Sequence, residues 1–299
     1  METVEAEVQA AKDRVPRFSV NRRNFLRLTA AAGAVALAAD AVLLAPNFPR
    51  VVYQEIALAR WPARMDGFTL AMLSDFHYDS VFSVHPIRAA VDLVRGLRPE
   101  LIVLTGDFVS VPLVGDSARG AIVAEPCAEL LSHMQAPFGL WAVTGNHDSF
   151  TAPHRVKAAL RANGIRVLEN HAVPIERDNA RFWLAGVDDI LGRTSNLPAA
   201  LGDIPSGEAA VLLAHEPDFA DYASRFPVDL QLSGHSHGGQ VRLPYLPPLY
   251  LPDMAKKYIL GRYQVGNLKL YTNPGIGTVG VPMRFDCPPE VTIIKLRRG

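Results

Sequence analysis

The sequence predicts an α/β fold with a largely parallel sheet and a second sheet of mixed direction packed against it. Three observations lead there. Short apolar runs with β-branched or aromatic members recur, each bounded by glycine or a polar residue, as buried strands are. Stretches with helical spacing separate them, at 85–97, 121–134 and 153–162. From Arg181 onward strand-like runs predominate, at 182–186, 268–271 and 291–294. Strand–helix alternation favours parallel pairing and puts ligands at the carboxyl ends of the strands.

The first run, 68–73, ends in Ser74-Asp75-Phe76-His77, and the second, 101–104, ends in Thr105-Gly106-Asp107. The third, 140–143, ends in Thr144-Gly145-Asn146-His147-Asp148. Run 209–214 meets His215, and run 230–232 leads into Ser233-Gly234-His235-Ser236-His237. The Asn163-Gly164 pair stops the helix at 153–162. No long linker, repeat or low-complexity run interrupts the chain after residue 51, so a single domain is expected.

Composition narrows the function. The chain has 299 residues, 49% of them apolar, and a formal net charge of zero. That suffices for a large core and supplies no broad basic field, so no nucleic-acid partner is expected. The two cysteines, Cys127 and Cys287, lack CxxC spacing. Thiolate metal chemistry is therefore excluded, while their pairing and the oligomeric state are left open.

Residues 1–48 read as an address, with the functional domain at 49–299. A polar segment precedes Asn21-Arg22-Arg23-Asn24-Phe25-Leu26-Arg27, and an alanine-rich apolar stretch follows at 28–45, broken by Asp40. A basic segment, an apolar segment and small residues make up an export signal. The arginine pair resembles the twin-arginine signal, which implies the twin-arginine export machinery as a partner. The apolar stretch has no polar face at helical period, which argues against an amphipathic helix of the domain itself. Cleavage at Ala36-Leu37-Ala38 and retention as an anchor through 41–45 both fit. Six basic residues between Lys12 and Arg27, against Arg50 just beyond, keep the N-terminus cytoplasmic and place the body outside the cytoplasmic membrane.

One Asp or His after a strand is usually a turn residue or a satisfied polar group. Five such endings on neighbouring strands converge in space. Together they offer Asp75, His77, Asp107, Asn146, His215, His235 and His237. Mixed imidazole and oxygen donors suit Mn, Fe or Zn better than Mg or Ca. The glycines before Asp107, Asn146 and His235 are expected to let the backbone turn sharply.

In order and spacing, Asp75-x-His77, Gly106-Asp107, Gly145-Asn146-His147-Asp148, His215 and Gly234-His235-x-His237 resemble the calcineurin-like metallophosphoesterases, over roughly 70–240. The resemblance implies a four-layer αββα sandwich, with two mixed sheets flanked by helices and a dinuclear site at the strand carboxyl ends. It implies that Asp75, His77, Asp107 and His237 hold one ion. Asp107 would bridge to a second, held also by Asn146, His215 and His235. The implied reaction is attack on phosphorus by a hydroxide bridging two cations about 3.5–4 Å apart. His147 would sit over the phosphate, as donor or acid. One departure stands out. Many members read Gly-Asp-x-x-Asp at the second block, the later Asp orienting the third-block His, and this chain has Ser110 there. Asp148 is the substitute partner that the sequence offers, so His147 and Asp148 form the expected catalytic pair.

The run from Gly234 to Pro244, with the arginine pair, resembles a branch of small exported or membrane-associated bacterial phosphodiesterases. That branch includes enzymes that hydrolyse the pyrophosphate of UDP-2,3-diacylglucosamine in lipid A synthesis. Export conflicts with a nucleotide-linked precursor made in the cytoplasm. A phosphodiester or pyrophosphate of the envelope, lipid-linked or not, is therefore the expected substrate, with the UDP-lipid as alternative. The proline-rich run 243–252 is read either as a buried loop or as a contact for lipid or a membrane surface. Lys256 and Lys257 are read either as a solvated pair or as contacts for anionic head groups. A catalytically silent scaffold should have lost donor residues, and none of the seven is missing.

Overall fold

The structure is a computed structural model that describes residues 21–112 and 114–299. Its compact body begins at Ala41, separate from helix α1 (Arg22–Ala39). The Asn21 side chain caps α1 by accepting the N–H of Asn24 at 2.8 Å. No residue of α1 is buried, and the helical segment 22–47 is long and apolar enough to cross a membrane. Lys12, Arg14 and Arg17, part of the expected basic segment, lie outside the described residues. The body's packing reaches back to Ala41, which is buried and whose carbonyl accepts the N–H of Arg284.

The body starts with β1 (Arg50–Leu58), β2 (Thr69–Leu73), helix α2 (Val84–Leu97) and β3 (Leu101–Leu104). Helix α3 (Ala124–Ser132), β4 (Leu140–Ala142), the short helix α4 (Asn146–Phe150), helix α5 (Pro153–Ala162) and β5 (Arg166–Val167) follow. Next come β6 (His171–Arg177), β7 (Ala180–Gly186), α6 (Leu197–Leu201), β8 (Ala210–Leu213), α7 (Ala220–Ala223) and β9 (Leu230–Ser233). The last strands are β10 (Gly261–Val265), β11 (Leu268–Thr272) and β12 (Glu290–Arg298). One sheet has the order β1-β12-β2-β3-β4-β5 and the other β10-β11-β9-β8-β7-β6. Pairing is parallel from β2 to β5 and among β7, β8, β9 and β11.

Three separate cores show that these are the inner two of four layers. On β2 and β3, Leu70, Met72, Leu101 and Val103 face the second sheet, where they meet Val211, Leu213, Leu230 and Leu232. Their neighbours Ala71, Leu73, Ile102 and Leu104 face outward onto Val91 and Val94 of α2, Leu131 of α3 and Leu160 of α5. Leu212 and Ala214 face the opposite outer layer, with Leu197 of α6 and Ala220 of α7. A strand buried on both faces must be apolar at every position, which is why β2, β3, β8 and most of β9 read as unbroken runs.

One placement corrects the sequence reading. Residues 291–294, expected in the second sheet, belong to β12 in the first, parallel to β1 and antiparallel to β2. The chain thus returns to its opening sheet, a pairing no local pattern encodes. Cys127 and Cys287 are both buried and unpaired with each other.

Candidate metal centre

The carboxyl ends of β2, β3, β4, β8 and β9 bring all seven expected donor residues together. Three mutually close groups arise: Asp75 with His77 and His237, Asp107 with His215 and His235, and His77 with Asp107 and His147. Asp107 links them: its Oδ2 lies 3.1 Å from Nε2 of His215 and 3.5 Å from Nε2 of His77. Oδ1 of Asp75 lies 3.3 Å from Nε2 of His237, which is 3.0 Å from Nε2 of His77.

The backbone is forced into this shape. Asp75, His77, Asp107, His235 and His237 all have positive φ, between 43° and 67°. L-residues adopt that region at a cost, and such conformations cluster at functional sites, where surrounding structure holds them. Part of the holding is done by the loop after β11: Ile276 and Gly277 donate to the carbonyls of Ser74 and Asp75, at 2.9 and 2.7 Å. The expectation for Gly145 needs amending. Its φ of −108° suits any residue, and space is what excludes a side chain. A Cβ there would collide with Oδ1 of Asp107 and the ring of His215.

Hydrogen bonds behind the rings set their tautomers. Nδ1 of His215 lies 2.6 Å from the Thr105 carbonyl and must donate to it, which makes Nε2 the nitrogen that faces Asp107. Nε2 of His235 lies 2.8 Å from the Asp253 carbonyl, so Nδ1 carries its lone pair. Nδ1 of His77 lies 2.9 Å from Oγ of Ser110, and its Nε2 turns inward. Such outer partners are how metal-binding imidazoles are oriented. Nε2 of His215, Oδ1 of Asn146 and Nδ1 of His237 are buried without a hydrogen-bond partner among the described residues. The first two belong to the cluster around Asp107, where a cation would satisfy them, while the site-facing nitrogen of His237 is its Nε2, beside Asp75 and His77. The residues therefore fit a metal site.

Burial and neighbouring charge pull the titrations apart. Burial pushes Asp75 up to about 6, the Asp107 carboxylate adding to it against the pull of His215. Burial holds His77 and His235 neutral, down to about 3. Burial opposes charge on His215 too, but the Asp107 carboxylate outweighs it and raises the imidazole well above its usual range.

Two positions differ from expectation. Ser110 does not meet His147; it meets His77. The Nδ1 of His147 instead accepts the backbone N–H of Val111 at 3.0 Å, which keeps the proton on Nε2. Asp148 is not beside the His147 ring either. It is fully buried, and its two oxygens accept the N–H groups of Asp107, Phe108, Val109 and Gly145 at 2.9 to 3.2 Å. Its role is to shape the loop that carries Asp107, while the N–H of His147 binds Oδ1 of Asp107 at 2.9 Å.

The sequence reading missed two groups. Arg284 is fully buried and donates to the carbonyls of Pro274, Gly277 and Cys287, which fixes the loop packed on Asp75. Gln240 braces the chain at Val279 and Val281. The loop after β11 carried the same signal as the other strand ends, an apolar run closing on Thr272-Asn273-Pro274-Gly275; nothing local marked Arg284.

A two-sheet sandwich with imidazoles and carboxylates gathered at the strand ends is a candidate metal centre, and the comparisons give it its class, a metal-dependent phosphoric ester hydrolase. The model of the calcineurin-like phosphoesterases matches residues 68–239. The metallophosphoesterase YkuE of Bacillus subtilis is 32% identical over 286 residues, covering 93% of this chain and 98% of its own. The phosphodiesterase YaeI of Escherichia coli is 31% identical over 282 residues, covering 93% and 99%. A transmembrane protein with a metallophosphoesterase domain from Danio rerio is 31% identical, covering 88% of this chain and 61% of its own. Among solved structures, the Thermus thermophilus sulfate thiohydrolase SoxB shares the fold at a TM-score of 0.51 and 14% identity, covering 78% of this chain and 57% of that one. The chain belongs to the calcineurin-like phosphoesterase family.

Proposed function

We propose that this protein hydrolyses a phosphodiester or pyrophosphate bond of an envelope substrate, lipid-linked substrates included, with two divalent or transition-metal ions. Asp75, His77, Asp107 and His237 would hold one ion, and Asp107, Asn146, His215 and His235 the other. The observation that carries this reading is that Asp107 Oδ2 lies between His77 and His215, at 3.5 and 3.1 Å, while the buried Nε2 of His215 and Oδ1 of Asn146 lack a hydrogen-bond partner among the described residues. Cations so held activate a water and offset charge on the phosphoryl oxygens. Water oxygen forms the new bond to phosphorus, the ester P–O bond breaks, and the leaving oxygen ends as an alcohol or phosphate.

The chain's own part is positional. The Val111 N–H leaves Nε2–H of His147 free to donate to a phosphoryl or leaving oxygen. Asp148 fixes the amides around Asp107, and Ser110 fixes the His77 ring. A neutral His147 stabilises charge by hydrogen bonding, since losing its only ring proton would leave an imidazolate.

Export by the twin-arginine route and a body on the far side of the cytoplasmic membrane belong to the same reading. Its support is the Arg22-Arg23 pair in the first turn of an exposed apolar helix. UDP-2,3-diacylglucosamine pyrophosphate hydrolysis remains the second reading for the substrate, supported by sequence resemblance. Metal analysis combined with hydrolysis of bis(4-nitrophenyl) phosphate tests the core of the proposal. Asp107→Ala should empty both positions and abolish turnover, whereas Asp75→Ala should mainly empty one. Full metal occupancy in the Asp107 variant, or hydrolysis after verified metal removal, would end it.

A further inference from the structure

We propose that the metal centre opens onto a preformed hydrocarbon subsite, so that the substrate is an amphiphilic phosphodiester with a hydrocarbon chain on one ester oxygen. The inference rests on the diesterase reading above and names its substrate class.

A cavity of about 580 Å³ has Asp107, Asn146, His147 and His237 at its base. One wall is Leu249, Tyr250 and Pro252, and the other is Val279, Val281 and Met283. No Lys or Arg lines it. Both walls are tied to the segment that carries His235 and His237. Gln240 accepts the N–H of Val279 at 2.9 Å and donates to the carbonyls of Val279 and Val281 at 3.1 and 3.0 Å. On the other side, Gly239 packs so closely on Pro248 that any Cβ would collide with the proline ring. The walls are therefore held in place, and their geometry follows that of the donor residues.

Apart from the exposed Tyr250 hydroxyl, the polar side chains in this cavity away from the donor residues, Gln240 and Ser236, are already engaged. The Gln240 amide is spent on the second wall. The Ser236 hydroxyl donates to the Ile259 carbonyl at 2.6 Å and accepts the Gly238 N–H at 3.0 Å. A sugar or nucleobase placed against these walls would bury donors and acceptors without partners, which is unfavourable. A hydrocarbon has none to lose. Leu249 and Tyr250 stand 68% and 72% exposed, and Tyr245 and Leu246 on the same run are exposed as well. Exposed apolar side chains grouped beside a reactive centre mark a binding surface. Lys256 and Lys257 are paired with Asp253 and Asp221.

The test uses the metal-loaded full chain in lipid nanodiscs and a series of water-soluble alkyl 4-nitrophenyl phosphates, from methyl to octyl. The leaving group is constant and only the chain changes. In parallel, calorimetry measures the affinity of the matching alkylphosphonates, which are not hydrolysed. Both kcat/KM and affinity should rise at least twofold per added methylene, toward the about fourfold of complete burial. In the double variant Leu249→Asp, Val281→Asp, both of whose side chains face solvent, each series normalised to its own methyl member should be flat. Phosphonate affinity independent of chain length in the wild type overturns the subsite, whether or not the esters are cleaved. Affinity that climbs with chain length while no diester is hydrolysed supports the subsite and removes the diesterase reading instead.

Discussion

The backbone N–H of Val111 donates to Nδ1 of His147 across 3.0 Å. That single bond decides which kind of help the imidazole gives. A ring that accepts at Nδ1 carries its proton on Nε2, and on the reading proposed above it would donate that proton's hydrogen bond to an oxyanion.

His147→Ala should therefore slow esters with poor and good leaving groups alike, by about 10²–10³ in kcat, as for loss of one oxyanion donor. The check is a plot of log kcat against leaving-group pKa for wild type and variant. Parallel lines are expected; a steeper line for the variant would assign proton transfer to His147.

Ser110 should act through metal retention. Its hydroxyl stands 2.9 Å from Nδ1 of His77, the place of an outer partner that orients an imidazole ligand. Ser110→Ala should weaken metal binding at the Asp75–His77–His237 position by about 10–100-fold. Ser110→Asp should preserve or tighten it, with no change in leaving-group dependence. Competitive chelator titration reads the affinity, and identical curves for wild type and the alanine variant would refute the role.

The pH dependence of metal stabilisation has a definite sign. In the folded, metal-free chain burial pushes Asp75 up to about 6, above the ordinary carboxylate value of 3.8. Its protonation contributes stability that is complete below about 4 and lost as pH rises through about 6. A cation binds the ionised form, so metal binding stabilises more as pH rises through that window. The His215 imidazole, held protonated by the Asp107 carboxylate, must give up its Nε2 proton to bind a metal, which adds in the same direction. His77 and His235, neutral down to about 3, stay neutral over this window with or without metal and so cancel. The gap in Tm between metal-loaded and metal-free protein should widen from pH 5 to pH 7, and Asp75→Asn should flatten the metal-free part of that trend. A constant gap would contradict the assignment.

Replacing both Arg22 and Arg23 with Lys should keep the protein in the cytoplasm with its phosphoesterase activity intact, because the signal is an address read by a receptor. Fractionation with an activity assay measures this. Unchanged envelope localisation would remove the twin-arginine route and leave the phosphoesterase reading standing.

The sequence by itself marked the buried strands and the candidate donor residues at their ends. Strands buried on two faces have no freedom to carry polar side chains, so β2, β3, β8 and most of β9 declared themselves as apolar runs, and each change to Asp, His or Asn marked a strand end. Tertiary structure decided what such runs could not encode. The edge strands β1, β6 and β10 are half in solvent, so their residues mix polar and apolar and no run appears. β12 takes its sheet from partners more than 200 residues away. Ser110 and Asp148 were legible as polar residues near the motifs, yet their partners depended on five left-handed backbone positions that only the assembled loops can hold. The run 243–252 was ambiguous for the same reason. Whether an apolar segment is core or surface depends on what covers it, and here Leu249 and Tyr250 are left standing beside the metal centre.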